Sequence, residues 1–530
     1  MRAVAVLPVI LFHAGISGFE GGFVGVDIFF VISGYLISSI IMADLQAGKF
    51  SLLLFYERRA RRIIPALTLI TLLSVPLSWV LLEPRAMHDY AESLIGVGTF
   101  SSNIFFWRQS GYFDQAAELK PLLHTWSLSV EEQYYILFPL LLGAIWAKGY
   151  RFVFVTMAML ALVSLNLAHW ASFNFPTAGF FLLPTRGWEL LAGVLLALLV
   201  HNDGLRASRG PADILSIMGL LCIGCSVVYF DDTTPFPSYY ALLPVVGTLL
   251  LLAYTVKGTF VYSLLANRLM VGVGLVSYSA YLWHQPLFSF LRQYRGGEDV
   301  GQGLMLLFSL LTFFLAYLSW KYVETPFRDK QKVNRKTVFA FSGFALVSLV
   351  TAGWIGLDGL LIRYPENDRS IIRQHAESGD YIGVRFNSLV DVGFVPSEKR
   401  LKVVLVGDSF AQDLVNAIYE GGMDSYFALS THRISARCGN LYAEPEREKY
   451  WSPQDVRFCQ RENSAGNSYD HPLLLQLLRD ADVIWLASSW QAWQVERLRE
   501  SVARLREDFG REVVVFGRKN FGRIDLDEIL

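Results

Sequence analysis

Arg2 and His13 are the first residues in the chain with the types and spacing to do chemistry. They stand eleven positions apart in an apolar run, which on one helix puts them on the same face, three turns and about 16 Å apart. A titratable side chain inside a membrane segment is costly to keep, so its default reading is functional. A histidine there can take a proton from a hydroxyl and return it during acyl transfer. A histidine bonded within a bundle, with Arg2 as a flanking charge, fits the same spacing. A second group is His124, followed by Glu131 and Glu132 at the start of another apolar run. One glutamate there serves a helix N-terminus, but two acids and a histidine at one boundary suggest a site. Arg186 and Glu189, three apart, are helix neighbours that suit either a site or a structural ion pair. Tyr278 and His284 lie within a further run, and Glu324 and Arg328 flank Pro326, which is expected to end its helix. Arg58, Arg59, Arg61 and Arg62 can bind the phosphates of a nucleotide-like donor, or serve as a topology signal against lipid headgroups. Near the C-terminal end, Gly407-Asp408-Ser409 follows the apolar strand pattern Val-Val-Leu-Val. That setting exposes a serine hydroxyl at a helix N-terminus, suited to a nucleophile beside an oxyanion site. His432 and His471 are the histidines available to it, and neither sits in an Asp-x-x-His arrangement.

The elements that must position these residues are mostly membrane helices. Of 530 residues, 53% are hydrophobic and only 18% charged, against roughly a quarter charged in soluble domains. The net charge of -1 lacks the basic excess of a nucleic-acid-binding chain. Apolar runs fall near 3–16, 24–43, 64–82, 127–146, 152–170, 187–201, 213–230, 239–255, 271–291, 303–323 and 338–361. A stretch at 93–107 is interrupted by Ser101, Ser102 and Asn103. If it does not cross, sixteen basic residues fall in one set of loops and six in the other. The positive-inside rule then makes the N-terminus cytoplasmic and the C-terminal part extracytoplasmic, with 93–107 re-entrant or interfacial. The reading is an α-helical polytopic membrane domain of about eleven transmembrane helices plus a C-terminal α/β domain. Its divisions are 1–330 membrane domain, 331–362 tether helix, 363–400 extracytoplasmic linker and 401–530 α/β domain. Strands at 402–406, 426–429, 483–487 and 512–516 alternate with helices to about 419, at 472–479 and at 491–508, which indicates a parallel sheet. Cys438 and Cys459 can pair in an oxidising compartment, and Cys222 and Cys225 read as small buried hydrophobes. No metal site is read. The first run, at 14 residues, is shorter than the about 20 a span needs, which points to a shortened start.

The chain resembles the acyltransferase-3 membrane family fused to an SGNH-hydrolase-like domain. The resemblance rests on Arg2–His13, Gly22–Leu36 with Asp27, Phe55–Pro65, His124–Gln133, Pro184–Glu189, Ser277–Pro286 and Tyr322–Arg328, in order through the membrane part. It implies ten spans and an eleventh as tether, with Arg2 and His13 essential to acyl transfer. It also implies that an acetyl group from cytoplasmic acetyl-CoA crosses the bilayer of a bacterial inner membrane. Ser409 would then be the SGNH nucleophile, in a flavodoxin-like sheet, passing the acetyl group to a surface polysaccharide such as the lipopolysaccharide O-antigen. Asp27, His124, Glu131, Glu132, Arg186, Glu189, Tyr278, His284 and Glu324 are the supporting candidates in the membrane. No bound cofactor and no nucleic acid are expected; the partners are acetyl-CoA, the glycan and the lipid bilayer. The family's closing Asp-x-x-His is missing before Leu530, so the α/β domain is expected to be incomplete. Ser488–Trp490 and Asn520 are candidates for its oxyanion positions. Three other readings stand beside this one: a peptidoglycan O-acetyltransferase, a transporter of glycan or acyl donor, and an esterase activity of the α/β domain.

Overall fold

The computed structural model describes residues 1–109, 117–201, 209–231, 233–296, 300–366, 368–369, 383–443, 447–451, 459 and 468–517. It divides into two compact units, Met1–Arg363 and Tyr364–Leu530.

The first unit is helical: α1 Arg2–His13, α2 Gly25–Gln46, α3 Leu52–Leu81, α4 Pro84–Gly98, α5 Ser102–Arg108, α6 Thr125–Trp146, α7 Tyr150–Asn174, α8 Pro176–Phe181, α9 Leu183–His201, α10 Arg209–Tyr229, α11 Leu242–Tyr254, α12 Phe260–Leu265, α13 Arg268–Tyr294, α14 Gln302–Ser319, α15 Thr325–Arg328 and α16 Arg335–Gly356. Some of their starts are capped. The side chains of Ser51, Asn267 and Asn334 accept backbone N–H groups of Leu54, Met270 and Thr337, and Pro84 opens α4. Among the described residues, seven helical stretches are long and apolar enough to cross a membrane, and the chain is a multi-pass membrane protein. Helices fill the other predicted runs too. However, α1 and the 239–254 stretch are short, and α6 and α13 are diluted by polar residues at the positions that matter for chemistry.

Three readings need correction. Arg58–Arg62 do not lie in a loop: the Ser51 cap starts α3 twelve residues before the predicted apolar run, so the arginines ride on its first turns. Pro326 does not end its helix. A π turn at Trp320–Glu324 frees the backbone first, and the chain continues as α15 to Arg328. Cys225 is exposed and Cys222 half-buried on α10, because an outward face is apolar when its solvent is lipid. The 93–107 stretch is broken into α4 and α5, with Phe100 at positive φ in the turn between them.

Glycines let the site helices meet closely. A Cβ on Gly34 of α2 would lie 1.9 Å from the Leu190 carbonyl oxygen, and one on Gly193 of α9 would lie 2.2 Å from that of Val31. The two backbones are thus in contact, as in small-residue membrane packing. This draws Asp27 of α2 onto Arg186 and Glu189 of α9. Gly353 does the same for α16 against α4, where its Cβ would meet the Ala91 carbonyl at 2.5 Å. The last helix is therefore packed into the bundle.

The second unit is a four-stranded parallel sheet in the order β2-β1-β3-β4, with β1 Leu401–Gly407, β2 Phe427–Arg433, β3 Val483–Ala487 and β4 Glu512–Phe516. Helices α17 Ser409–Glu420, α18 Pro472–Asp480 and α19 Ala492–Phe509 complete it. Val403–Val406 are fully buried, each stabilising the unit by about 1.5–3 kcal/mol. Order reverses at β1, so the crevice beyond β1 and β3 is where such sheets bind ligands. Cys438 and Cys459 are disulfide-bonded.

Candidate active site

A cavity with a water-accessible volume of about 80 Å³ opens among α1, α2, α3, α6 and α13. Arg2, Arg59 and Arg62 line it with Glu131, Ser33, Tyr135, Tyr278, Ser127 and Tyr281. None of the three arginines has an ion-pair partner within 4 Å among the described residues. The Tyr135 hydroxyl donates to Glu131 Oε2 at 3.0 Å and closely contacts the Ser33 hydroxyl; that of Tyr278 donates to the Ile63 carbonyl at 3.0 Å. Three guanidinium groups against one carboxylate make a pocket for a polyanion.

The arginine cluster divides into two pairs. Arg58 donates to Asp44 at 2.7 Å. Arg61 is buried, holding Glu57 at 2.8 Å and the carbonyls of Phe327 and Val333, while Arg335 closes on the same glutamate at 2.6 Å. These two are spent on structure, and Arg59 and Arg62, about 60° apart around α3, face the cavity. Glu57 was not singled out from sequence. Its position four residues before Arg61 is the signal that was there to find. Glu324, fully buried at the π turn, accepts from Ser279 and pairs with Arg328.

His13 is not in the cavity wall. It stands at the far end of α1, where its ring centroid lies 5.1 Å from that of His284, and His284 lies 5.6 Å from His124. His13 Nδ1–H donates to the Val9 carbonyl at 3.0 Å, and His284 Nδ1–H to that of Tyr281 at 2.5 Å. Each carbonyl fixes the tautomer and leaves Nε2 as the basic nitrogen. Neither His124 nitrogen nor His284 Nε2 has a hydrogen-bond partner among the described residues. Arg292 donates to the His13 carbonyl at 2.7 Å and steadies the helix end.

Tyr281, which sequence reasoning did not single out, joins the two ends. It lines the cavity, its hydroxyl bonds Ser127 at 2.6 Å, and its ring lies 5.6 Å from His124 and 5.2 Å from His284. A tyrosine in an apolar helix carries no signal until its neighbours are known. Glu132 is half-buried, with its Oε1 enclosed, and does not line the cavity.

Arg186, Glu189 and Asp27 form a separate buried cluster. Arg186 lies 3.4 Å from Asp27 and 3.2 Å from Glu189, all three at most 1% exposed. The rings of Phe30, Trp126, Phe180 and Phe236 surround the guanidinium at 5.4–5.7 Å. None of the three lines the cavity.

In the second unit, Ser409 begins α17 where β1 ends. Asp408 caps that helix, accepting from Phe410 N–H at 2.9 Å and Ser489 N–H at 2.8 Å. Burial pushes its carboxyl above the usual carboxylate range, against those two bonds. Asn440 bonds the Val406 carbonyl at 3.0 Å and Ser488 Oγ at 2.9 Å, which places both at the mouth between β1 and β3. His432 pairs in register with Val406, whose side chain packs with Leu474 and Leu477 of α18, whereas Ala411 and Val415 of α17 pack on the other face. The two candidate histidines thus lie across the sheet from the helix that Ser409 begins. Asn520 falls outside the described residues.

The membrane part of the chain is similar to known proteins. The model of an acyltransferase domain family matches residues 1–322. A protein of Staphylococcus aureus (strain COL), provisionally named an O-acetyltransferase, is 30% identical over 456 residues, covering 78% of this chain and 73% of its own length. A similarly named protein of Staphylococcus aureus (strain MRSA252) is 28% identical over 452 residues with the same coverage. The O-acetyltransferase OatA of Staphylococcus aureus (strain NCTC 8325) is 32% identical over 346 residues, 62% of this chain and 56% of that protein. No solved structure matches the chain. The family match spans the helices that hold both the arginine cavity and the histidine cluster, which sets the transporter reading aside: the chain belongs to the acyltransferase-3 family and is a membrane acyltransferase.

Proposed function

We propose that the protein moves an acetyl group from cytoplasmic acetyl-CoA to a hydroxyl of an extracytoplasmic glycan, the lipopolysaccharide O-antigen being the favoured acceptor. The observation that carries this reading is the column from Arg2, Arg59 and Arg62 through Tyr281 to His13, His124 and His284. The arginine end shares a side with the basic loop at Arg328–Lys336, which the positive-inside rule makes cytoplasmic. There the guanidinium groups hold the donor's phosphates. The acetyl end of the donor points along the column toward the histidines. At the other end, His13 Nε2 takes the proton of an acceptor hydroxyl as its oxygen bonds the acetyl carbon, and the thiolate of coenzyme A leaves and takes that proton from His13. In the extracytoplasmic compartment the Ser409 oxygen then attacks the acetyl carbon, its proton returning to the departing acceptor oxygen. The glycan hydroxyl attacks the acetyl-serine in turn, and its proton restores the Ser409 hydroxyl.

The test is His13→Ala in cells lacking the native copy. Glycan O-acetyl content is expected to fall by about 10²–10⁴ in rate, with membrane insertion unchanged. Wild-type acetylation in this variant would sink the scheme. Mass analysis of the lipopolysaccharide against the peptidoglycan decides the acceptor, and acetyl in the wall alone would replace the O-antigen by peptidoglycan.

A further inference from the structure

Asp391, His432 and His471 come from three separate segments of the second unit: the stretch before β1, strand β2 and the residue that opens α18. Each offers one ligand atom, and the three atoms lie within 4.8 Å of one another. His432 is fully buried, and its Nδ1 lies 2.6 Å from Asp391 Oδ1. Its ring centroid is 5.4 Å from that of His471.

Three observations set this trio apart from an ordinary buried histidine with a carboxylate. Asp391 is held at φ 55, a conformation non-glycine residues adopt at a cost and that gathers at functional sites. Its backbone is pinned there by the Asp391 N–H to Thr431 carbonyl bond of 2.9 Å. His471 occupies a helix N-cap, where Ser, Thr, Asp or Asn would bond the helix N–H groups, yet its side chain makes no capping bond. Its Nδ1 is buried with no hydrogen-bond partner among the described residues. Its ring instead lies against that of His432, tilted by 34°.

We propose that Asp391, His432 and His471 bind one divalent cation of the zinc class. Two imidazole nitrogens and one carboxylate oxygen suit Zn²⁺ and not the all-oxygen preference of Mg²⁺ or Ca²⁺. Three protein ligands leave the fourth tetrahedral position to water. Ligand atoms on a tetrahedral zinc sit about 3.3 Å apart, so the 2.6 Å pair opens slightly as the cation takes the place of its shared proton. The ion ties the stretch before β1, the edge strand β2 and the start of α18 into one unit, and its binding free energy becomes folding stability of that unit. The sequence reading assigned no metal because the ligands are 41 and 39 positions apart, outside any ligand-spacing motif.

The experiment uses the full chain in detergent, stripped with EDTA and titrated with Co²⁺ as a spectroscopic stand-in and then with Zn²⁺. Wild type is expected to show visible d–d absorption saturating at one Co²⁺ per chain, displaced by Zn²⁺, and a higher melting temperature for the second unit with either ion. His471→Ala, at a partly exposed position that leaves the core intact, is expected to lose both signals. His471→Cys, which keeps a ligand, should restore the absorption with a sulfur charge-transfer band. Absence of binding by the wild type overturns the proposal. So does a Co²⁺ spectrum that His471→Ala leaves unchanged, since the ion would then sit elsewhere, as on the membrane histidines.

Discussion

The membrane unit and the α/β unit each gather chemistry-bearing residues, but by opposite routes. In the membrane unit the residues come from helices scattered over more than three hundred positions, and the charged ones within apolar runs were conspicuous because a charge there is expensive. In the α/β unit the Gly407-Asp408-Ser409 turn is local and readable, while its surroundings are drawn from a sequence in which polar residues are everywhere. Lipid as solvent makes functional residues stand out one by one; water as solvent hides them until the fold is known.

The comparison breaks first at Arg186. If it is conspicuous for structure and not for chemistry, Arg186→Met leaves Asp27 and Glu189 as two buried acids without their cation. The membrane unit should lose about 3–5 kcal/mol, read as a large drop in the melting temperature of the detergent-solubilised protein. Wild-type melting with lost acetylation would instead move Arg186 into the reaction.

Next comes the α/β unit's own reinforcement. The Cys438–Cys459 bond closes a 21-residue separation, for which chain entropy predicts about 3 kcal/mol. Cys438→Ser is expected to lower the second unit's unfolding free energy by that amount and leave the membrane unit's unchanged. A matching loss in the membrane unit would show that the two do not unfold independently.

The smallest effect sharpens the reading of the arginines. Arg62→Ala, in the cavity, is expected to raise the KM for the proposed donor, acetyl-CoA, about tenfold, about 1.4 kcal/mol of binding. Arg58→Ala, at a side chain bonded to Asp44 of the neighbouring helix α2, should leave KM within twofold. Equal effects would mean that the cluster acts as a diffuse charge.

Much of the architecture was readable beforehand because it follows from periodicity and solvent. The four strands and three helices of the second unit fall within a few residues of their predicted bounds, since Val-Val-Leu-Val is buried on both faces and the other strands bury at least part of one. The first turns of α3 were missed because arginines in a hydropathy profile look like a loop, whereas a helix carries charges readily when Glu57 and Asp44 answer them. Tyr281 was missed because aromatic residues in membrane helices are common and only contact shows which one bridges two clusters.

The sequence by itself determined that this is a membrane protein with an α/β appendage, where its apolar helices lie, and which side chains are costly to bury there. Those properties depend on local composition and spacing, and solvent transfer acts on each segment separately. Only the tertiary structure decided that Arg59 and Arg62 face a cavity while Arg58 and Arg61 do not. It alone placed His13 beside His124 and His284, and brought Asp391 to His432 and His471. Those pairings depend on how helices and strands cross, and the crossings are set by close contacts such as Gly34 on Leu190 that no single segment encodes alone.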